Sequence, residues 1–343
     1  MSAGSAAGLV SRPALRFRGW MPLALLVLLL VAVGAYGANG SSAFLTTYNL
    51  NSLLLTALPL ALISMGQVNA LLVGGFDISV GALVTLCVVV ASFTMPSSHA
   101  WYLLIPGALA LAGVALVTGL ANAALVRRVG LPSIIATLAT LSILQGVALR
   151  LRPSPGGEID LGTTEALLAG VNFIPYAFIG VIVLAIGWDL WLYRTGAGLT
   201  ARAVGLNENS ARRLGAPANR IHWRAYVLAS TMAMVGAFFV AAQVGVGDAK
   251  ASTGASYTLQ SIAAAVLGGA ALAGGKGSFI GAVVGAIFLS LIANVITLLG
   301  YNSAYEQISI GALTLIALVV YQGGALVAGL RVILAKARSP EFG

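Results

Sequence analysis

The sequence has 343 residues, of which 59% are hydrophobic and only 8% are charged. A soluble domain carries about 25% charged residues, so a soluble fold of this size would leave a largely apolar surface in water. The mean hydropathy of +0.99 and several apolar runs longer than about 18 residues instead predict an all-α integral membrane protein surrounded by lipid. The net charge of +9 does not indicate a nucleic-acid partner, because the arginines lie between the apolar runs, where the positive-inside rule places them.

Ten transmembrane helices account best for the apolar runs. Their predicted limits are 20–37, 50–73, 79–95, 102–126, 132–149, 173–193, 225–244, 257–273, 278–299 and 306–328. If the N-terminus lies inside the cell, the basic clusters fall on the cytoplasmic side, which predicts that both termini are cytoplasmic. The predicted organisation is a tail at 1–19, one transmembrane domain at 20–328 with a cytoplasmic loop at 194–224, and a second tail at 329–343.

A break interrupts the apolar run between the second and third predicted helices. Gly74 and Gly75 permit unusual backbone angles there, and Asp77 and Ser79 follow them. The carboxylate of Asp77 suits the N-terminus of the next helix, where it would cap free N–H groups. An ionisable residue inside a membrane is also a candidate for a translocation path. The sequence leaves both roles open.

Other polar residues interrupt the apolar helices. They need hydrogen-bond partners in lipid, so we expect them to face the protein interior or a cavity. Each one is compatible with a bond between helices, and together they would suit an aqueous path for a polar solute. These candidates are Gln67, Asn69, Asn122, Gln145 and Asn294.

Glycines recur at two kinds of spacing. Gly277, Gly281 and Gly285 form a double GxxxG pattern, which favours close packing of helices in lipid. A weak internal repeat, of a kind common in transporters, also appears at an offset of 200 positions. Its members are Gly74, Gly75, Gly81 and Ala82 in the first half and Gly274, Gly275, Gly281 and Ala282 in the second.

The segment from Arg194 to Arg224 carries six arginines and a single acid, Glu208, so it is too polar to enter the bilayer. Asn207 is a favourable N-cap, and Glu208 suits the first turn of a helix. Gly215 and the proline two residues later would end that helix. The pattern predicts a short cytoplasmic helix, which is either a docking element or an incidental part of the loop.

Signals for catalysis are absent from the sequence. The phosphate-loop pattern fails around Gly275 and Lys276, because position 270 is alanine and position 277 is glycine. The single cysteine, Cys87, excludes a disulfide framework and most cysteine-based metal sites. We therefore predict that the chain is not an enzyme and holds neither a cofactor nor a metal.

Four motifs in order resemble those of ribose-type (CUT2-like) permeases of ATP-binding-cassette (ABC) importers. The first is the GGFDISVG stretch from Gly74 to Gly81, and the second is the pattern of Gly205, Asn207, Glu208, Ala211, Arg212 and Gly215. The third runs from Ile262 to Gly269 and then from Leu272 to Ser278. A looser fourth runs from Leu131 to Leu138. The resemblance covers roughly residues 45 to 325.

This resemblance implies a type II-like importer permease in the bacterial inner membrane. Its partners would be a second permease copy or a paralogue, two cytoplasmic ATPase subunits that bind ATP and Mg, and a periplasmic protein that binds a monosaccharide or polyol. The short cytoplasmic helix would couple the permease to the ATPase. The residues that the resemblance places in that coupling region are Gly205, Asn207, Glu208, Ala211, Arg212, Arg213 and Gly215.

Some positions depart from the usual family pattern. Gln67 and Asn69 stand where apolar residues are frequent, Gln145 stands where arginine is frequent, and Thr258 and Gln260 stand where acids are frequent. The departures leave the identity of the solute open. Two other functions compete with the importer, namely an ion-coupled secondary transporter, for which Asp77 would be the ion site, and a membrane scaffold or receptor without transport.

Overall fold

The computed structural model describes residues 14–95, 104–159, 165, 168–250 and 253–316, most of which are helical. The helices in chain order are α1 (Ala14–Gly40), α2 (Thr47–Leu72), α3 (Val80–Thr94), α4 (Leu104–Ala124, continued by a π-helical turn at Leu125–Val129), α5 (Ser133–Leu151), α6 (Tyr176–Arg194), α7 (Gly196–Leu206), α8 (Glu208–Arg213), α9 (Ala218–Val244), α10 (Thr253–Leu267), α11 (Phe279–Leu298) and α12 (304–316).

Seven of the described helices are long and apolar enough to cross a bilayer, namely α1, α2, α4 with its π-helical turn, α5, α6, α9 and α11. Helices α3 and α10 are apolar but shorter. The chain is therefore a membrane protein with many spans, whereas the count of ten and the side of the termini stay predictions. Helix α1 begins within the predicted tail at 1–19. The last predicted span, 306–328, is described only up to residue 316, and the tail at 329–343 lies outside the described residues.

The structure departs from the predicted elements in two places. Four short strands form two antiparallel pairs, β1 (Gly156–Glu158) with β4 (Val246–Gly247) and β2 (Gly170–Val171) with β3 (Ile174–Pro175). Strands of two or three residues are too short to produce the alternating pattern that predicts a strand. Besides the short helix predicted after Asn207, the predicted loop at 194–224 contains a second helix, α7, and α9 begins inside it at Ala218.

Helix α2 is the central helix of the bundle, since it is buried from Ala57 to Leu72 and packs against α9, α10 and α11. Pro59 lies inside it, and because proline has no N–H, the carbonyl of Leu55 lacks its helical partner. Gln243 of α9 replaces that partner, since its Nε2 donates to Leu55 O at 2.9 Å. The central helix can therefore contain a proline without leaving an unpaired carbonyl in lipid.

The predicted glycine pattern brings α10 and α11 together. A Cβ atom at Gly281 would lie 3.0 Å from Gly268 Cα, and a Cβ atom at Gly285 would lie 3.0 Å from Ala264 Cα. Both distances are tighter than most real Cβ contacts, and the carbonyl oxygens of Gly268 and Ala264 lie closer still, at distances that real Cβ atoms do not show. The interpretation of the double GxxxG pattern as helix packing is confirmed at these two glycines.

We predict that Gly285→Val destabilises the protein by about 1–3 kcal/mol or more, because the obstacle is the backbone of α10, which cannot move aside as a side chain can. Gly113→Val on α4 is the matched control, since nothing lies within 4 Å of a Cβ at that position. Thermal unfolding of both variants in the same detergent measures the effect. Equal midpoints for the two variants would contradict the packing derived above.

Candidate functional site

The chain turns between α2 and α3 at the break that the sequence predicts. Gly74 has a φ of +74°, a left-handed conformation that residues with a Cβ rarely adopt. The N–H of Gly75 donates to Ala70 O at 3.0 Å, and its Cα lies against the hydroxyl of Tyr226, so a Cβ at Gly75 would collide with that hydroxyl. Gly74 therefore permits the turn of the backbone, and Gly75 leaves room for the hydroxyl of Tyr226.

Asp77 is fully buried just before α3. Its Oδ1 accepts hydrogen bonds from Ser79 N at 3.0 Å and from Ser79 Oγ at 2.5 Å. Asn122 of α4 donates to Asp77 Oδ1 at 3.3 Å and to Ser79 Oγ at 2.9 Å. Three predicted site residues are thus in contact, and Asp77 stands at the start of α3, as one of its two predicted roles requires. A role in a translocation path stays a prediction.

A second break, between α10 and α11, has the same design as the first. Gly274 and Gly275 have φ values of +89° and +75°, and a helix follows them. The carboxylate at its N-terminus comes from Asp189 of α6, which accepts hydrogen bonds from Phe279 N at 2.8 Å and from Ile280 N at 3.1 Å. The helix after each break therefore has a buried or half-buried carboxylate at its positive end.

The two breaks meet each other and α7 in a contact that we call the glycine junction (Leu72, Gly74, Gly205, Gly274 and Gly275). Gly275 N donates to Leu72 O at 2.8 Å. A Cβ at Gly205 would lie 2.5 Å from Gly275 N, and a Cβ at Gly274 would lie 2.9 Å from Gly74 N. Three segments that are distant in sequence therefore touch backbone to backbone, which only residues without a Cβ permit.

The short helix that the sequence predicts after Asn207 is α8. Asn207 Oδ1 accepts a hydrogen bond from Ser210 N at 2.9 Å, and Gly215, with a φ of +84°, follows the end of the helix. Ala211 is buried in a small cluster with Val204 and Ala218, whereas Arg213 is exposed. The structure therefore joins α8 to the glycine junction through α7, a helix that sequence patterns did not predict.

Charged groups attach α8 to the membrane helices. Both oxygens of Glu208 accept hydrogen bonds from Arg127, at 2.7 Å and 3.2 Å, and Arg212 donates to Glu208 at 2.9 Å. Although partial burial opposes it, these bonds hold the pKa of Glu208 below its ordinary value of 4.5. The contribution of Glu208 to stability is therefore complete above that ordinary pKa and is lost as the pH falls through the lowered pKa.

The other predicted polar residues are not gathered in one place. Gln67 and Asn69 are buried in the last two turns of α2, near the glycine junction. Asn69 donates to a carbonyl one turn earlier at 3.0 Å, and Gln67 has no hydrogen-bond partner among the described residues. Gln145 lies in the second half of α5 and donates to Ala249 O, in the loop after β4, at 2.7 Å. Asn294 lies near the end of α11 and exchanges two hydrogen bonds with Asn49 of α2, at 2.8 Å and 3.1 Å. The bonds made by these last two residues join helices or loops.

Sequence reasoning missed several residues that build this end of the bundle. Arg127 lies in a basic cluster that indicates only topology, and no local pattern marks Asp189 as the partner of a distant helix. Tyr193 was not considered, yet its hydroxyl donates to Gly277 O at 2.8 Å while Arg202 of α7 stacks on its ring at 4.5 Å. An acid and an arginine on separate polar segments were the one signal available for the Arg127 contact.

Comparison with known proteins identifies the fold family. Residues 49–318 match the family described as branched-chain amino acid transport system / permease component. The chain belongs to this permease family. A probable ABC transporter permease of Sinorhizobium fredii is 33% identical over 301 residues, or 86% of each chain. The ribose import permease of Escherichia coli K12 is 32% identical over 308 residues, which are 87% of this chain and 91% of the relative.

A third relative, the autoinducer 2 import system permease of Shigella flexneri, is 32% identical over 284 residues, which are 82% of this chain and 80% of the relative. No solved structure matches the chain. As a permease of the ABC importer family, the chain is a multi-pass inner-membrane subunit that is not catalytic itself. The family implies a complex in which partner ATPases hydrolyse ATP and a binding protein takes part.

We predict that Gly205→Ala disturbs this permease, because the added methyl group would meet backbone atoms of Leu72 and Gly275. The expected loss of stability is about 1–3 kcal/mol, as is typical of an overpacked contact. Gly196→Ala at the other end of α7 is the control, because nothing lies within 4 Å of its Cβ. Thermal unfolding measures the stability of both variants. A Gly205→Ala protein as stable as the control would show that Gly205 does not pack against the backbone of Leu72 and Gly275.

Proposed function

We propose that this permease forms the translocation path of an importer for a monosaccharide or a similar polar solute. A periplasmic binding protein delivers the solute, and two ATPase subunits that bind ATP and Mg drive its passage. The ribose import permease among the relatives supports the class of solute. The buried polar contacts of Asp77, Ser79 and Asn122 support a polar rather than an apolar cargo. A second copy of the chain, or a paralogue, completes the path.

The same proposal assigns α8 and its flanking residues to the coupling with the ATPase. The observation that carries this assignment is Leu214 at the end of α8, whose side chain is 88% exposed. A large apolar side chain exposed on a polar segment can anchor a partner, because burying it in a pocket stabilises the complex by about 1.5–3 kcal/mol. Arg213 is exposed beside it, while Arg212 is already hydrogen-bonded to Glu208.

The proposed topology has ten spans, with both termini and α8 on the cytoplasmic side. Two groups of arginines support it. Those of the π-helical turn, Arg127 and Arg128, lie at the same end of the bundle as the arginines of α8. Positive residues concentrate on the cytoplasmic side of membrane proteins. The single transmembrane domain at 20–328 and its two flanking tails are part of the same proposal.

We predict that Leu214→Asp abolishes co-purification of the ATPase, because the charged side chain cannot enter an apolar pocket without losing its hydration. Leu214→Met is the matched control, since it keeps an apolar side chain of similar volume, and it should co-purify like the wild type. The measurement is the amount of ATPase bound per permease after affinity purification from a common membrane extract. Undiminished binding by Leu214→Asp would refute the coupling role of α8.

A further inference from the structure

Arg127 occupies a distinctive place at the end of α4. It lies in the π-helical turn Leu125–Val129, which ends at Gly130 with a φ of +82°. From there its guanidinium forms a two-pronged contact with Glu208, with Nη2 at 2.7 Å from Oε1 and Nη1 at 3.2 Å from Oε2. Such a fork fixes the orientation of both groups, and not only the distance between them. Turns of this kind are frequent at functional positions.

A second acceptor closes the contact into a ring. Asn219, in the first turn of α9, accepts hydrogen bonds from Arg127 Nη2 at 2.6 Å and from Arg212 Nη2 at 3.0 Å. Arg212 also donates to Glu208 at 2.9 Å, so two arginines and two acceptors bond to each other in turn. The ring joins three elements, the end of α4, the helix α8 and the start of α9.

The two arginines of this ring have different mechanical consequences. Arg212 and Glu208 are one turn apart in the same helix, so their contact does not hold α8 against another element, and Arg212 reaches α9 only through Asn219, seven positions away. Arg127 and Glu208 are 81 positions apart and belong to different elements. The Arg127 side chain is also the more enclosed, at 15% exposure against 45% for Arg212, so solvent screens its contact less.

Apart from this ring and the approach of His222 Nε2 to Glu208 Oε2 at 3.6 Å, α8 has few other means of holding its orientation. It has only six residues, far fewer than an isolated helix needs to be stable in water. Its buried apolar contact is the small cluster of Ala211, Val204 and Ala218. Small side chains in contact resist separation weakly, and they resist rotation less than a two-pronged ion pair does.

From these observations, we infer that Arg127 is a positioning residue, which fixes the orientation of α8 through Glu208 and transmits movement of α8 to α4 and α9. The inference rests on the proposed function, because it takes α8 as the element that the ATPase contacts. It adds that the ion pair of Arg127 with Glu208 carries this movement to α4, beside the route that the glycine junction provides through α7. It also implies that Glu208 and Arg212 bond mainly within the chain, so that the anchor offered to the ATPase is Leu214.

The test measures solute taken up per ATP hydrolysed, in proteoliposomes that contain the permease with its ATPase, its binding protein and the solute found in that binding protein. For Arg127→Ala we expect the complex to assemble and to hydrolyse ATP, while uptake per ATP falls about tenfold, as for the loss of a charged hydrogen bond. Arg127→Lys keeps the charge without the fork, and it should give an intermediate ratio. Because the lysine variant is milder, it decides the question if the alanine variant does not fold.

Arg128→Ala is the matched control. The neighbouring Arg128 stacks on the ring of Trp223 at 5.0 Å and belongs to the same turn, but no contact joins it to Glu208 in the described residues. Its uptake per ATP should equal that of the wild type. An unchanged ratio in the Arg127 variants, even if less complex assembles, would overturn the inference and leave Arg127 a structural residue only.

The same preparation separates this inference from the function on which it rests. If Leu214→Asp still assembles fully with the ATPase, then α8 is not the docking element, and the coupling assignment on which this inference rests fails. If Leu214→Asp prevents assembly while the Arg127 variants keep the wild-type ratio, the coupling role of α8 stands and only the role of Arg127 fails.

Discussion

The close approach of three backbones at the glycine junction is the constraint on which the rest of this permease depends. The hydrogen bond from Gly275 N to Leu72 O joins the two helix breaks, and Gly205 of α7 packs against both. A Cβ at Gly205, Gly274 or Gly275 would meet atoms of a neighbouring segment at less than 3.0 Å and would separate the segments. Because the contact is made by backbone atoms, a displacement of α7 cannot be absorbed by rotation of side chains and has to move the helix ends with it.

The polar groups at this end of the bundle are arranged to keep the breaks stable in an apolar surrounding. Each break exposes the N-terminus of the following helix, and a carboxylate pairs with it, Asp77 at α3 and Asp189 at α11. Both oxygens of Asp189 accept hydrogen bonds, and Asp77 bonds with Ser79 and Asn122. Asp189 therefore caps α11, whereas Asp77 stays a candidate both for capping α3 and for the translocation path.

Much of this architecture could be predicted from the sequence, because lipid imposes simple rules. Long apolar runs predicted the spans, and Asn207 and Gly215 predicted the limits of α8, since caps and left-handed glycines are local features. Local rules do not show which distant segments touch. The contacts of Arg127 with Glu208 and of Asp189 with the start of α11 join positions about 80 to 90 residues apart, so only the folded chain reveals them. Helix α7 escaped prediction because its glycines and arginine resemble a loop.

The central claim is that energy enters this permease from a partner at the end where the glycine junction and α8 lie. The most direct measurement is uptake of the solute into proteoliposomes that contain the purified permease, with and without its ATPase and binding protein, under an ATP supply or an imposed ion gradient. The account predicts uptake only when ATP and both partners are present, whatever the gradient. Uptake by the permease alone, driven by a proton or sodium gradient, would contradict it.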